Sequence, residues 1–129
     1  MSSIRVLIVD ASPVIRQTLT AILTSDPDIE VMGTAADPYI AARRIQKEVP
    51  DVIILDVDMP RMDGIALVRS IKSDPKLQSI PAIIVSYKER EEDRIRGLDA
   101  GADAYLTKSS FHDQTLLETV ADLIGEADA

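Results

Sequence analysis

The sequence predicts a doubly wound α/β domain, in which helices cover both faces of one parallel sheet. Short apolar runs alternate five times with segments of helical periodicity, and the connections between them are short. Right-handed crossovers then place helices on both sides of the sheet. We predict the flavodoxin-like strand order 2-1-3-4-5, because its switch point lies between strands one and three, and both of these runs end in aspartate. Residues 1–129 are expected to form a single domain.

The central strand is predicted at Val52 to Leu55, and Asp56 follows it directly. Its apolar residues are continuous rather than alternating, which is typical of a strand buried on both faces. Pro50 and Pro60 bound the stretch. Because a buried charge is costly unless it is paired, Asp56 is expected to have a function.

The other strands are predicted from similar apolar runs. The helices are predicted from apolar residues at helical spacing, and proline or glycine marks their ends. The remaining strands are predicted at Ile4 to Val9, Ile29 to Ala35, Pro81 to Val85 and Asp103 to Thr107. The helices are predicted after Ser12-Pro13, after Asp37-Pro38 (with Ala41, Ile45 and Val49 inward), from Asp63-Gly64, over Lys88 to Arg96 and around Leu116, Val120, Leu123 and Ile124.

Composition excludes several classes of function. The net charge of −8 argues against nucleic-acid binding, since phosphate contact needs a basic face. The absence of cysteine excludes disulfides and thiolate metal sites. No apolar stretch approaches the 18 residues of a membrane span, and no signal peptide is recognisable. We therefore expect a cytoplasmic protein with no membrane association.

Polar residues follow four of the predicted strands, namely Asp10, Asp56, Ser86 and Lys108. The carboxyl ends of parallel strands meet at one edge of the sheet, so these side chains should converge on one pocket. Two adjacent carboxylates resist joint ionisation unless a cation lies between them, and Mg²⁺ is the simplest candidate. Asp56 could then attack phosphorus as a nucleophile, while Lys108 and Ser86 hold the phosphoryl oxygens.

Each candidate residue also has an ordinary structural interpretation. Asp10 could cap the first helix together with Ser12, and strand-terminal serines such as Ser86 are common in turns. Lys108, Asp58 and His112 could be solvated surface residues, and Tyr105 could be an aromatic residue of the core. Only the joint arrangement of the candidates favours a functional site.

That arrangement resembles the receiver domain of two-component response regulators over essentially the whole chain. The matching segments are Ile8-Val9-Asp10, Leu55-Asp56-Val57-Asp58-Met59-Pro60, Met62-Asp63-Gly64, Val85-Ser86 and Thr107-Lys108. The segment around Asp56 is the most specific of them, together with Asp63-Gly64.

The resemblance implies roles for individual residues. Asp56 would accept a phosphoryl group from a histidine kinase or phosphotransfer domain, and Lys108 would contact the phosphate. Ser86 and Tyr105 would be the switch residues. Mg²⁺ would be held mainly by Asp56, the main-chain carbonyl of Asp58 and water, and Asp10 would reach the metal through a water molecule. A downstream protein would bind the surface from Glu89 to Ile124.

Two positions depart from the family pattern. Ala11 stands where receiver domains usually carry a second acidic residue, which is a direct metal ligand. We therefore expect weakened Mg²⁺ binding and slower phosphorylation. Ser109 stands where the family often has proline after the lysine, in relatives that often have a cis bond there; a cis bond to Ser109 would cost about 3–4 kcal/mol.

The subfamily resemblance is divided between the two halves of the chain. The segment from Ser12 to Asp63 is similar to the receiver of the chemotaxis methylesterase. The segments from Ser86 to Glu92 and from Lys108 to Phe111 are similar to receivers of chemotaxis-type hybrid histidine kinases. A natural mosaic, an engineered chimera and a domain cut from a longer protein all fit this division.

Three functions follow from these patterns. The first is a non-enzymatic phosphoacceptor signalling domain in a phosphorelay. The second is a phosphorylation-poor receiver that acts as a protein-binding module, because Ala11 removes a metal ligand. The third is a small phosphatase-like hydrolase using Asp56 and Asp58, which is disfavoured because 129 residues leave no cap domain.

Overall fold

A computed structural model of the chain describes residues 3–57, 64–88, 90–108 and 113–128. Five parallel strands form one sheet in the order β2-β1-β3-β4-β5, which confirms the predicted fold class and strand order. The strands are β1 (Ile4–Val9), β2 (Ile29–Ala35), β3 (Val52–Leu55), β4 (Ala82–Ser86) and β5 (Ala104–Thr107). The helices are α1 (Pro13–Thr24), α2 (Pro38–Lys47), α3 (Gly64–Ser73), α4 (Glu91–Asp99) and α5 (Asp113–Asp128).

The first two helices begin as the sequence predicts. The Ser12 hydroxyl accepts a hydrogen bond from the Ile15 amide at 3.3 Å. The Asp37 carboxylate accepts from the amides of Tyr39 and Ile40, at 2.9 Å and 3.0 Å. Proline occupies the first helical position in both, where no intrahelical donor is needed. These caps fix where each chain segment leaves the carboxyl edge of the sheet.

The sheet separates two apolar layers. Residues of β1, β3 and β4 alternate between them, so that Leu7 and Ile53 pack with α2 and α3, whereas Ile8 and Ile54 pack with α1 and α5. The central strand is at most 1% exposed throughout, as its continuous apolar run predicts. The prediction that Val49 faces inward is wrong, because this residue follows the end of α2 and is 50% exposed.

Helix α4 begins later than the sequence predicts, at Glu91 rather than Lys88. Its first turn consists of Glu91, Glu92 and Asp93, and acidic side chains at this end are stabilised by the partial positive charge of the helix amino terminus. The helix is followed by Gly101, whose φ of 115° is readily adopted only by glycine. Because the charged residues run continuously across this helix start and no capping side chain marks it, the sequence did not indicate the boundary.

Within the described ranges, no helix is both long and apolar enough to cross a membrane.

Candidate functional site

Two buried aspartates lie at the carboxyl ends of adjacent strands. Asp10 follows β1 and is 3% exposed, and Asp56 follows β3 and is 7% exposed. The register pairs Val9 with Leu55, so both aspartates leave the sheet at the same level. The Asp56 amide donates to the Val9 carbonyl at 3.0 Å, which continues the sheet hydrogen bonding to the site. The structure thus brings the two carboxylates to one edge, as the sequence predicts.

The side chain of Lys108 reaches both carboxylates. Its Nζ atom lies 2.7 Å from Oδ2 of Asp10 and 3.4 Å from Oδ2 of Asp56. The three side chains are 5%, 4% and 9% exposed, so the ion pairs are largely shielded from water. Two neighbouring carboxylates need a cation between them. In this structure the ammonium of Lys108 provides that charge.

Asp10 has both a structural and an electrostatic role. Its Oδ1 atom accepts a hydrogen bond from the Ser12 amide at 2.9 Å, while Oδ2 pairs with Lys108. Arg16 donates from Nη1 to the Asp10 carbonyl oxygen at 2.7 Å. The turn into α1 therefore holds the Asp10 carboxylate in place, with one oxygen directed at the lysine.

A cavity of about 300 Å³ lies beside these charges. A water molecule occupies about 30 Å³ of liquid, so the cavity has room for a phosphoryl group and several waters. Its lining consists of Asp10, Ala11, Ser12, Val14, Ile15, Asp56, Tyr87 and Lys108. Ala11 thus borders the site with a side chain that has no oxygen.

Tyr87 is a member of this site that sequence analysis missed. The centre of its ring lies 5.0 Å from Nζ of Lys108, within the range of a cation–π interaction. The side chain is 63% exposed and lines the outer part of the same cavity. Its position directly after Ser86, at the end of a strand, was the available signal.

Ser86 and Tyr105 form a neighbouring hydrogen-bonded group. Ser86 is fully buried, does not line the cavity, and accepts a hydrogen bond through Oγ from the Lys88 amide at 3.1 Å. The Tyr105 hydroxyl donates to the Lys88 carbonyl at 2.8 Å. Burial raises the pKa of the Tyr105 phenol, and hydrogen bonding with Ser86 partly opposes this rise. The backbone of Lys88 therefore connects the two residues.

The backbone also links Ser86 to the charged group. The Lys108 amide donates to the Ser86 carbonyl at 2.7 Å, at the point where β4 and β5 end. The lysine that pairs with Asp10 and Asp56 is therefore attached to the same strand ends that carry Ser86 and Tyr105.

The donor set fits a magnesium ion with few protein ligands. Mg²⁺ is commonly held by one or two carboxylates, with water completing its octahedron. Asp10 and Asp56 supply two carboxylates at the cavity. Within the described part of the chain, no group of three or more His, Cys, Asp or Glu side chains forms a metal site. Asp58, Ser109 and His112, which the sequence analysis also considered, lie outside the described residues.

A model of the response regulator receiver domain family matches residues 6–121. The chain belongs to this family. Receiver domains are signalling modules of two-component systems, so the recognition made from sequence is confirmed. The fold found here is that of solved receiver domains.

Curated relatives include protein-glutamate methylesterase/protein-glutamine glutaminases. One from Rhodopseudomonas palustris is 56% identical over 101 residues, covering 77% of this chain and 27% of the relative. Another, from Rhodospirillum rubrum, is 64% identical over 83 residues, covering 64% of this chain and 22% of the relative. The receiver thus spans roughly a quarter of these relatives, and the match supports its placement with chemotaxis receivers.

Solved structures include similar receivers from two kinds of protein. The response regulator domain of Thermotoga maritima CheB superposes with a TM-score of 0.85 at 32% identity, covering 95% of this chain and 97% of that one. The receiver domain of a signal transduction histidine kinase from Syntrophus aciditrophicus superposes with a TM-score of 0.84 at 34% identity, covering 95% of this chain and 90% of that one.

Proposed function

We propose that Asp56 accepts a phosphoryl group from the phosphohistidine of a histidine kinase or phosphotransfer domain. The observation that carries this proposal is the placement of Lys108 between Asp10 and Asp56, beside a cavity large enough for a phosphoryl group. A fixed cation at that point stabilises charge on transferring phosphoryl oxygens. Receiver domains as a family interact with histidine kinases or phosphotransfer proteins, which agrees with this donor.

The transfer is a displacement at phosphorus. A carboxylate oxygen of Asp56 attacks, the P–N bond to the histidine ring breaks, and the bonding electrons remain on the ring nitrogen. When the other ring nitrogen of the phosphohistidine carries a proton, the products are an acyl phosphate on Asp56 and a neutral histidine ring. Lys108, at 3.4 Å from Asp56, would turn towards a phosphoryl oxygen and exchange part of its interaction with Asp10 for that contact.

Receiver domains generally bind Mg²⁺ at an acidic pocket. In this chain, we assign its ligands to the carboxylates of Asp10 and Asp56 and to the main-chain carbonyl of Asp58, with water filling the remaining positions. When bound, the ion supplies positive charge that neutralises the phosphoryl oxygens. Ala11 removes one acidic ligand, so the metal affinity should be weak.

The signal would pass from Asp56 through Ser86 to Tyr105. The Ser86 hydroxyl would turn towards the phosphoryl group, which would break its hydrogen bond with the Lys88 amide. Tyr105 binds the carbonyl of the same Lys88 residue, so the two side chains would shift together between two states. A downstream protein would read this change on the surface from Glu89 to Ile124.

Phosphorylation by a small donor tests the proposal directly. Incubating the protein with phosphoramidate and Mg²⁺ should add the mass of one phosphoryl group, and Asp56→Asn should abolish the addition because its amide is a very weak nucleophile. Asp28→Asn, which changes the same charge at an exposed position, should be labelled like the wild type. Equal labelling of the Asp56→Asn protein would refute the assignment of the phosphoacceptor.

A second function is favoured by Ala11, whose side chain has no ligand atom, while Lys108 already compensates both carboxylates. Such a receiver would bind its partner without being phosphorylated. It would show neither a mass increase nor a change of shape in the presence of phosphodonor.

A magnesium titration separates the two functions. Restoring a carboxylate with Ala11→Asp should tighten Mg²⁺ binding roughly tenfold, since it adds one charged oxygen ligand. Backbone amide shifts near Asp56 and Lys108 would report binding. Ala21→Asp, at an exposed position of α1, controls for added charge and should match the wild type. Millimolar binding by the wild type supports phosphotransfer, whereas binding by the Ala11→Asp protein alone supports the unphosphorylated module.

A further inference from the structure

The ring of Tyr105 lies on the inner side of α4. It packs against the apolar layer that contains Ile84, its neighbour across the β4–β5 pairing. The hydroxyl reaches the Lys88 carbonyl at 2.8 Å. For the ring to lie there, α4 must pass over it without a side chain at the point of crossing.

Gly97 occupies that point. It is the one buried residue within α4 (residues 91–99), where most of the other residues are exposed. A Cβ atom at Gly97 would lie 2.8 Å from Cδ1 of Ile84 and 2.9 Å from Cδ2 of Tyr105, both well inside normal contact distance. Glycine is among the least favourable residues in a helix, so its presence here sacrifices helix stability for space.

We propose that Gly97 is a positioning residue for Tyr105, and that a side chain at this position displaces the ring from beneath α4 towards solvent. The space formed by Gly97, Ile84 and the Lys88 carbonyl is called the Tyr105 slot below. This inference deepens the proposed function, since Tyr105 is assigned there as the residue that carries the signal to the α4 surface.

Closing the Tyr105 slot has a chemical consequence. The ring would leave the Lys88 carbonyl, and the link between Tyr105 and Ser86 through that residue would break. The phenol would also become exposed. The substitution does not alter the charged residues that act on the phenol, which are Lys88, Asp93 and Asp56. A change in the pKa of the phenol would therefore report a change in the position of the ring.

The test is carried out on unphosphorylated protein, by NMR of the tyrosine rings. In the wild type we expect nuclear Overhauser contacts between the Tyr105 ring and the Ile84 methyl groups, and a phenol pKa above its ordinary value because of burial. In Gly97→Ala we expect these contacts to weaken and the phenol pKa to fall towards about 10. Asp99→Ala, an exposed alanine substitution in the same helix, should leave both unchanged. Unchanged contacts and titration in Gly97→Ala would overturn the proposal.

A double-mutant comparison keeps the proposal testable even if Gly97→Ala folds poorly. In the wild type, Gly97→Ala should lower the midpoint of thermal unfolding by about 5 °C. In a Tyr105→Ala background the same substitution should raise it, because the helix gains alanine and the absent ring leaves space into which the Ile84 methyl group can move. If Ile84→Val relieves the loss and Tyr105→Ala does not, the crowding is with Ile84 and the proposal is wrong. None of these measurements uses a phosphodonor, so they are independent of labelling at Asp56.

Discussion

Replacing Gly64 with alanine is expected to lower the free energy of unfolding by about 3 kcal/mol. Gly64 begins α3, and its amide donates to the Val57 carbonyl at 3.0 Å. A Cβ atom there would overlap the carbonyl oxygen of Asp56 and lie 2.8 Å from Cα of Val57. These are backbone atoms, so they can move only if the turn that carries Asp56 moves with them. Denaturant unfolding measures the loss.

Gly33→Ala is the matched control for this prediction. A Cβ atom at Gly33 would also overlap another group, but that group is the guanidinium of Arg44, the end of a flexible side chain. Arg44 can move aside at the cost of its hydrogen bond to the Met32 carbonyl, which suggests a loss of about 1 kcal/mol. Equal losses in the two variants would contradict the argument, because the rigidity of the backbone around Asp56 would then not matter.

The fold and the centre of the site could be predicted because local patterns specify them. The continuous apolar run at Val52–Leu55 indicates a strand buried on both faces, and parallel topology places Asp10 beside Asp56. The helix starts at Ser12 and Asp37 follow from side-chain capping within a few residues. Such features need no knowledge of distant contacts.

Other features depend on contacts between segments far apart in the chain. Lys72 appears in the sequence as one more helical lysine, yet its Nζ atom binds the Ile80 carbonyl at 2.7 Å and the Asp103 carboxylate at 2.9 Å. Gly97 is unremarkable until the ring of Tyr105 is placed beneath it. Tyr87 lines the cavity and lies close to Lys108, and its position after Ser86 was the one sequence signal for this. Composition and spacing do not specify the distances of these tertiary contacts.

Replacing Lys108 with methionine is expected to destabilise the protein by about 3 kcal/mol while strengthening its binding of Mg²⁺. The loss of stability arises because Asp10 and Asp56 remain buried without their shared cation. The gain in affinity arises because the ammonium, at 2.7 Å from Asp10, no longer competes with the metal for the carboxylates. Labelling of Asp56 by phosphoramidate should nevertheless slow, since no lysine remains to hold the phosphoryl oxygens.

Two further variants separate charge from packing. Lys108→Met combined with Asp10→Asn should regain much of the lost stability, because only one of the two carboxylates then remains charged. Lys76→Met removes an exposed lysine and should have little effect on stability or on magnesium binding.

The decisive measurement is the unfolding free energy of Lys108→Met with increasing Mg²⁺. An ion that binds only the folded protein stabilises it by about 2.7 kcal/mol at a hundred times its Kd. Magnesium should therefore offset most of the loss in Lys108→Met, at concentrations that stabilise the wild type less. If Lys108→Met gains no more from Mg²⁺ than the wild type, the lysine and the metal do not compete for Asp10 and Asp56. The ion pair of Lys108 with Asp10 would then be a permanent part of the fold rather than the interaction that metal binding and phosphorylation replace.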